Sequence, residues 1–172
     1  MKIILILYTL FILLLASTAH SQTTKLINEL ASTALDKENY KEEGGKIVLY
    51  GIVTNGPDTK NGELACAKVV TIILLKAGVV DKVSVGVRHV QSALKNWKQI
   101  NIKSDLKPGD IIVWTNRFKG REDQKCTGGG DCHVGIVTEK GYFHNSPISD
   151  APTFGGLSLW FFKFQVGYRA PN

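Results

Sequence analysis

Cys66, His133 and His144 are the residues whose types and spacing can carry out acyl transfer. The chain has three cysteines, an odd number. Cys126 and Cys132 are separated only by Thr127-Gly128-Gly129-Gly130-Asp131, a flexible segment able to close a small disulfide loop. That leaves Cys66 as a single thiol. It falls in the first turn of an apolar helical stretch, where free backbone N–H groups and the helix dipole are expected to stabilise a thiolate. Burial alone would instead make it an inert core cysteine, because free Cys is among the most buried residue types. The histidines favour chemistry: a nucleophile, a base and a group that orients the base is the general arrangement for covalent catalysis.

The elements that must position these groups read in two halves. Thr24 to Lys37 is expected to form a first helix, with Leu26, Leu30, Ala34 and Leu35 near helical spacing. Lys46 to Val53 reads as a short extended segment, followed by a loop from Thr54 to Gly62 dense in turn formers. Glu63 to Ala77 is a helix apolar nearly all round, which is the mark of a buried central helix, and Gly78 is placed to stop it. Val87 to Trp97 is a second, amphipathic helix. From Pro108 onward strands dominate: Asp110 to Trp114, Val134 to Val137, Tyr142 to His144, and one or two closing strands over Trp160 to Phe164 and Val166 to Tyr168. Helices first and an antiparallel sheet afterwards is the α+β class.

The register between two of these strands decides whether the histidines meet. If Glu139 and Lys140 make a two-residue turn, Thr138 faces Gly141 and His144 faces Gly135. His133 and His144 then share one face, with Gly135 leaving room between them. A one-residue slip would turn His144 away and put Asn145 in its place, so Asn145 is the alternative third residue.

The first 21 residues have the layout of a secretory signal peptide. Lys2 is the basic n-region, Ile3 to Leu15 the apolar run, and Ala19 and Ser21 are small residues before a cut at Gln22. The run is shorter than the roughly 20 residues that span a bilayer. The expected protein is therefore residues 22–172, one domain, secreted to the periplasm or the medium, without stable membrane insertion once the leader is removed. The whole chain carries a net charge of +6. Its basic residues are scattered rather than clustered, which argues against nucleic acid and is compatible with anionic wall polymers.

Four pieces, in order, make the chain resemble the NlpC/P60 family of papain-like cell-wall hydrolases. Cys66 begins an apolar helix after a glycine-containing loop. Leu106-Lys107-Pro108-Gly109-Asp110-Ile111-Ile112 resembles the family's L-x-P-G-D-L lead into a core strand. His133-Val134-Gly135-Ile136-Val137 resembles its H-V-G-I-Y strand, and Gly141-Tyr142-Phe143-His144-Asn145 its G-x-x-I-H-A segment. The resemblance implies a papain-like fold with the nucleophile helix packed on an antiparallel sheet. It further implies cleavage of amide bonds in peptidoglycan stem peptides. Cys66 would attack, His133 would act as base and then acid, His144 would orient His133, and Tyr50 would line the substrate site. The implied partner is a peptidoglycan peptide, with an inhibitor or immunity protein left open; the mechanism requires no metal or cofactor, and a monomer is expected. Where the family usually reads Asp-Cys-Ser-Gly, this chain has Ala65-Cys66-Ala67-Lys68. A CHAP-type amidase or an interbacterial effector shares the Cys–His core and remains an alternative.

Two readings from other classes compete. A zinc site from Cys66, Cys126, Cys132 and His133 would have the spacing Cys-x5-Cys-His, which matches none of the usual structural patterns. A non-catalytic wall-binding or inhibitory domain could keep the same fold, because fold alone never proves activity. His89, beside Arg88 on the second helix, reads as an ordinary boundary histidine.

Overall fold

The computed structural model describes residues 22–62, 64–116, 132–156 and 162–171. Helix α1 covers 22–32 and buries Ile27 and Ala31 completely, with Ala34 just beyond its last turn. A three-stranded antiparallel meander follows, β1 (Tyr40–Glu43), β2 (Lys46–Leu49) and β3 (Ile52–Val53). Gly44 and Gly45, with φ of 57° and 76°, make the two-residue β1–β2 turn that only residues tolerant of positive φ form cheaply. A 3-10 turn over Pro57–Gly62 leads to α2 (Cys66–Lys76).

Helix α2 is the central one, as its all-round apolar pattern predicts: Ala67 and Val69 to Leu74 are buried, Thr71 among them. It stops where Gly78 adopts φ 70°. There the N–H of Val79 reaches the carbonyl of Leu74 (2.8 Å) and that of Gly78 reaches Leu75 (3.0 Å), so two otherwise orphaned carbonyls are satisfied. Helix α3 (Val87–Ala93) is shorter than expected: the chain leaves the helix after Leu94, and Trp97 packs on the main core from outside it.

The remaining strands form one antiparallel sheet of six, in the order β4-β9-β5-β6-β7-β8. They are β4 (Lys98–Ile100), β5 (Ile111–Asn116), β6 (Cys132–Thr138), β7 (Gly141–Asn145), β8 (Pro152–Gly155) and β9 (Phe162–Arg169). The two expected closing strands are one strand with a register shift opposite Val113 and Trp114, and Trp160 lies outside the described residues. The general α+β expectation holds. Strands β1, β4 and β8 were not legible: β1 is charged and mostly exposed, β4 has three residues, and β8 opens on a proline.

Alternation along the strands gives the sheet two different faces. Val113, Val134, Ile136 and Phe143 turn towards α2 and complete the main core. Ile112, Trp114 and Val137 form a smaller cluster on the other side, joined by Leu106, Tyr142, Phe162 and Phe164.

Asp110, just before β5, is fully buried and holds the sheet's start together. It accepts from Arg169 through Nε (2.8 Å) and Nη2 (2.6 Å), and from the backbone N–H of Lys107 (2.7 Å). Beside it Gly109, at φ 92°, lies so close to α1 that a Cβ would sit 2.2 Å from the Thr24 carbonyl oxygen. Replacing Arg169 with Ala leaves the Asp110 carboxylate buried without its cation. The expected cost is about 3 kcal/mol, read as a thermal midpoint lowered by roughly 10 °C. A midpoint within 2 °C or so of the parent would show that the ion pair contributes little.

Candidate active site

Strands β6 and β7 meet in the register that the hairpin reading requires: Thr138 faces Gly141 and Gly135 faces His144. His133 and His144 consequently share a face, and His133 Nε2 lies 3.1 Å from His144 Nδ1. Gly135 leaves the room between them. A Cβ there would sit 2.9 Å from the Phe143 carbonyl oxygen and 3.1 Å from both His144 Cβ and Trp114 Cζ3. The His144 ring is fixed a second time, because its Nδ1 is also 3.0 Å from the carbonyl oxygen of Asn145. The Asn145 side chain, one residue on, projects to the opposite face.

The His133 imidazole is walled by aromatic rings. Trp114, its direct partner on β5, has its ring centroid 5.7 Å away, and Phe162 of β9 approaches to 5.2 Å. Only 4% of His133 is exposed. Burial, with the neighbouring His144 adding to it, depresses its pKa to about 3. Burial lowers that of His144 as well, against the opposing effect of the Asn145 carbonyl. Both rings are therefore neutral at neutral pH.

Cys66 is a free thiol and the first residue of α2. Ala65, the residue before it, offers no side-chain cap, so the first N–H groups of the helix are left near the sulfur. Backbone hydrogen bonds from Val134, Ala67 and Cys66 itself favour the thiolate, but burial outweighs them and pushes the thiol's pKa up. The expectation of a helix-stabilised thiolate is thus overturned by desolvation, which acts on the charged form more strongly than a single helix end does.

The bond with Val134 places the thiol against β6 one residue past His133. It meets the strand at its backbone, though, and not at the imidazole. Cys66 packs with the core on the α2 face, whereas His133 turns to the face of Trp114. Among the described residues Cys66 and His133 share no hydrogen bond, and His133 Nδ1 has no hydrogen-bond partner.

The other expected site residues are dispersed. Tyr50, held at φ 49°, donates its hydroxyl proton to the Leu30 carbonyl (2.7 Å) and lies 3.3 Å from Thr33 Oγ1, so its polar end is engaged with α1. Cys132 opens β6 on the α2 face, while Cys126 lies outside the described residues, and the expected bridge with it. A zinc ion could not draw Cys66 and His133 together across the sheet, and no group of three or more metal-ligating side chains occurs among the described residues. No described helix is long and apolar enough to cross a membrane, and residues 1–21 of the expected leader lie outside the description.

One contact escaped the sequence reading. Lys68, two residues after Cys66 and 9% exposed, places its Nζ 2.9 and 2.7 Å from the two carboxylate oxygens of Asp58. This ties the 3-10 turn to the start of α2. The signal was a lysine inside an otherwise apolar helix, which must find a partner to be buried.

No protein-family model, curated protein or solved structure matches the chain.

The depressed His133 pKa makes stability depend on pH in a defined direction. The unfolded histidine titrates near 6.5 and the folded one near 3. Between these values only the unfolded state binds the proton, so stability is present above 6.5 and is lost as pH falls. Loss of about 2 kcal/mol between pH 6.5 and 5 is expected from denaturant titrations. A His133→Phe variant should show a shallower slope over the same range, and an equal slope would assign the effect elsewhere. Cys66 supplies a second readout. Its alkylation by iodoacetamide should stay slow at pH 6 and accelerate only in alkaline buffer, whereas fast labelling at pH 6 would reveal a thiolate.

Proposed function

We propose that the chain is a secreted cysteine hydrolase of amide bonds, with peptidoglycan stem peptides as its substrate class. The observation that carries this reading is the His133 Nε2–His144 Nδ1 contact of 3.1 Å beside a free thiol bonded to the next residue of the same strand. A buried pair of neutral imidazoles on one face of a strand whose backbone bonds a helix-terminal cysteine on the other has the parts of a nucleophile, a base and an orienting group. The residues that resemble the NlpC/P60 motifs are the ones that form this arrangement, and that resemblance supplies the substrate.

In the proposed reaction, sulfur attacks the scissile carbonyl carbon as its proton passes to His133 Nδ1. The N–H of Cys66, at the helix start, donates to the developing oxyanion. His133 then gives the proton to the leaving amine, the C–N bond breaks, and water hydrolyses the thioester by the same base. His144 acts on His133 and does not touch the substrate. Starting from a neutral thiol and a neutral imidazole, proton transfer accompanies attack instead of preceding it. Cys66 lies on the α2 face and His133 on the Trp114 face, so attack requires a rearrangement at the start of β6 that carries the imidazole round to the side of the sulfur. A Cys126–Cys132 bridge, proposed from their spacing, would fix the chain that leads into His133.

The neutral resting pair also suits a non-catalytic wall-binding or inhibitory domain, and one experiment separates the two. Purified peptidoglycan fragments are digested with residues 22–172 beside a Cys66→Ala control and analysed by mass spectrometry. Stem-peptide cleavage by the parent alone, with the variant reduced at least about a hundredfold, is the expected result. Equal cleavage by both proteins would remove Cys66 from the mechanism, and no cleavage by either would favour the binding domain.

A further inference from the structure

The histidine pair leaves one nitrogen of His144 unused. Its Nδ1 faces both His133 Nε2 and the Asn145 carbonyl, at 3.1 and 3.0 Å. A carbonyl oxygen can only accept, so Nδ1 carries the proton. Burial keeps the ring neutral, and Nε2 is therefore a lone pair that accepts and cannot donate. No hydrogen bond among the described residues reaches it. A buried acceptor left without a donor is destabilising, whereas the same atom in water is not.

His144, 3% exposed, lines a cavity of about 380 Å³, and Nε2 is on the ring edge turned away from the partners of Nδ1. Thr153 faces His144 across the β7–β8 ladder and lines the same cavity. Its hydroxyl is the nearest candidate donor along that ladder, yet it gives its proton to the Phe154 carbonyl at 3.3 Å. Ser146 Oγ is engaged in its own turn, where it accepts from the N–H groups of Ile148 and Ser149, both at 3.2 Å. Phe162, Pro147 and the exposed Ile148 supply apolar wall. The Phe162 ring is itself held, 5.2 Å from that of His133. A chamber of this volume is within the range that small ligand groups fill, and its wall contains an unanswered acceptor.

We propose that this cavity is a binding site for an apolar group that carries an N–H or O–H donor, such as an indole or a phenol, and that the donor bonds His144 Nε2. A donor is what the lone pair lacks. A carbonyl, an ether or a plain hydrocarbon brings none, and would displace water while leaving Nε2 unpaired. Because the ligand takes up the lone pair, it holds the His144 proton on Nδ1. The ring then keeps its bonds to Asn145 and His133, and the tautomer does not change on binding. The site asks nothing of Cys66 and stands apart from the hydrolase reading.

The test uses the purified protein labelled with 15N-histidine, and two probes of one shape: indole, and benzofuran, which has a ring oxygen in place of the N–H. Indole should bind about tenfold more tightly, the ratio expected of one hydrogen bond to an otherwise unpaired buried acceptor. In long-range proton–nitrogen spectra, saturating indole should move the His144 Nε2 resonance away from its lone-pair position while the Nδ1–H pattern persists. Benzofuran should leave that resonance in place. Gly155 projects to the same face as Thr153, and an added Cβ there meets nothing within 4 Å. Gly155→Leu therefore puts a side chain into the cavity and should weaken indole by about tenfold or more. His144→Phe keeps a ring but removes the acceptor, and should bring the two affinities to within about twofold. Equal affinity of the parent for both probes, no binding of indole, or an Nε2 resonance unmoved at saturation would overturn the proposal. So would indole binding that survives Gly155→Leu unchanged. Neither probe has an amide bond, so failure here leaves the hydrolase reading as it was, and absence of peptidoglycan cleavage leaves the binding site.

Discussion

The β6–β7 ladder is the constraint on which the candidate site depends. Two neighbouring strands locked with Gly135 opposite His144 leave the imidazoles no choice but to meet, and the missing Cβ at Gly135 is what lets them approach. The same ladder turns Val134, Ile136 and Phe143 the other way, onto α2. Packing of the helix and pairing of the histidines are therefore one commitment. A slip of one residue would bury polar rings under the helix and expose its apolar partners on the other side.

That commitment explains why the environment of Cys66 is not that of an isolated helix end. The backbone N–H groups around the sulfur favour negative charge, but the close packing that brings them there also removes water. Desolvation wins, and the thiol and the histidines are all held neutral. The electrostatics thus describe a cluster of titratable groups whose burial favours their uncharged forms.

Much of this was legible because it is periodic. The apolar helix, its glycine stop and the hairpin register followed from spacing alone, and the α+β class followed from their order. What the sequence could not report were features set by a distant partner. The sheet face on which His133 falls relative to Cys66 depends on how α2 sits across the strands. Tyr50 looked available and is taken up by α1. Lys68 looked like a departure from a motif and proves to be half of an ion pair with Asp58. Strands such as Tyr40–Glu43 exist through pairing at a Gly-Gly turn, with no hydrophobic alternation to announce them.

The two edges of the large sheet have a bearing on how the molecule behaves in a crowd. One edge is β4, three residues long with an exposed lysine at its start, and the other is β8, four residues long and beginning with Pro152. A proline has no N–H to offer, and strands this short present few free backbone groups to a neighbour. The sheet is a poor template for recruiting a further strand, so at high concentration this protein should resist edge-to-edge polymerisation even though its core strands are rich in β-branched residues.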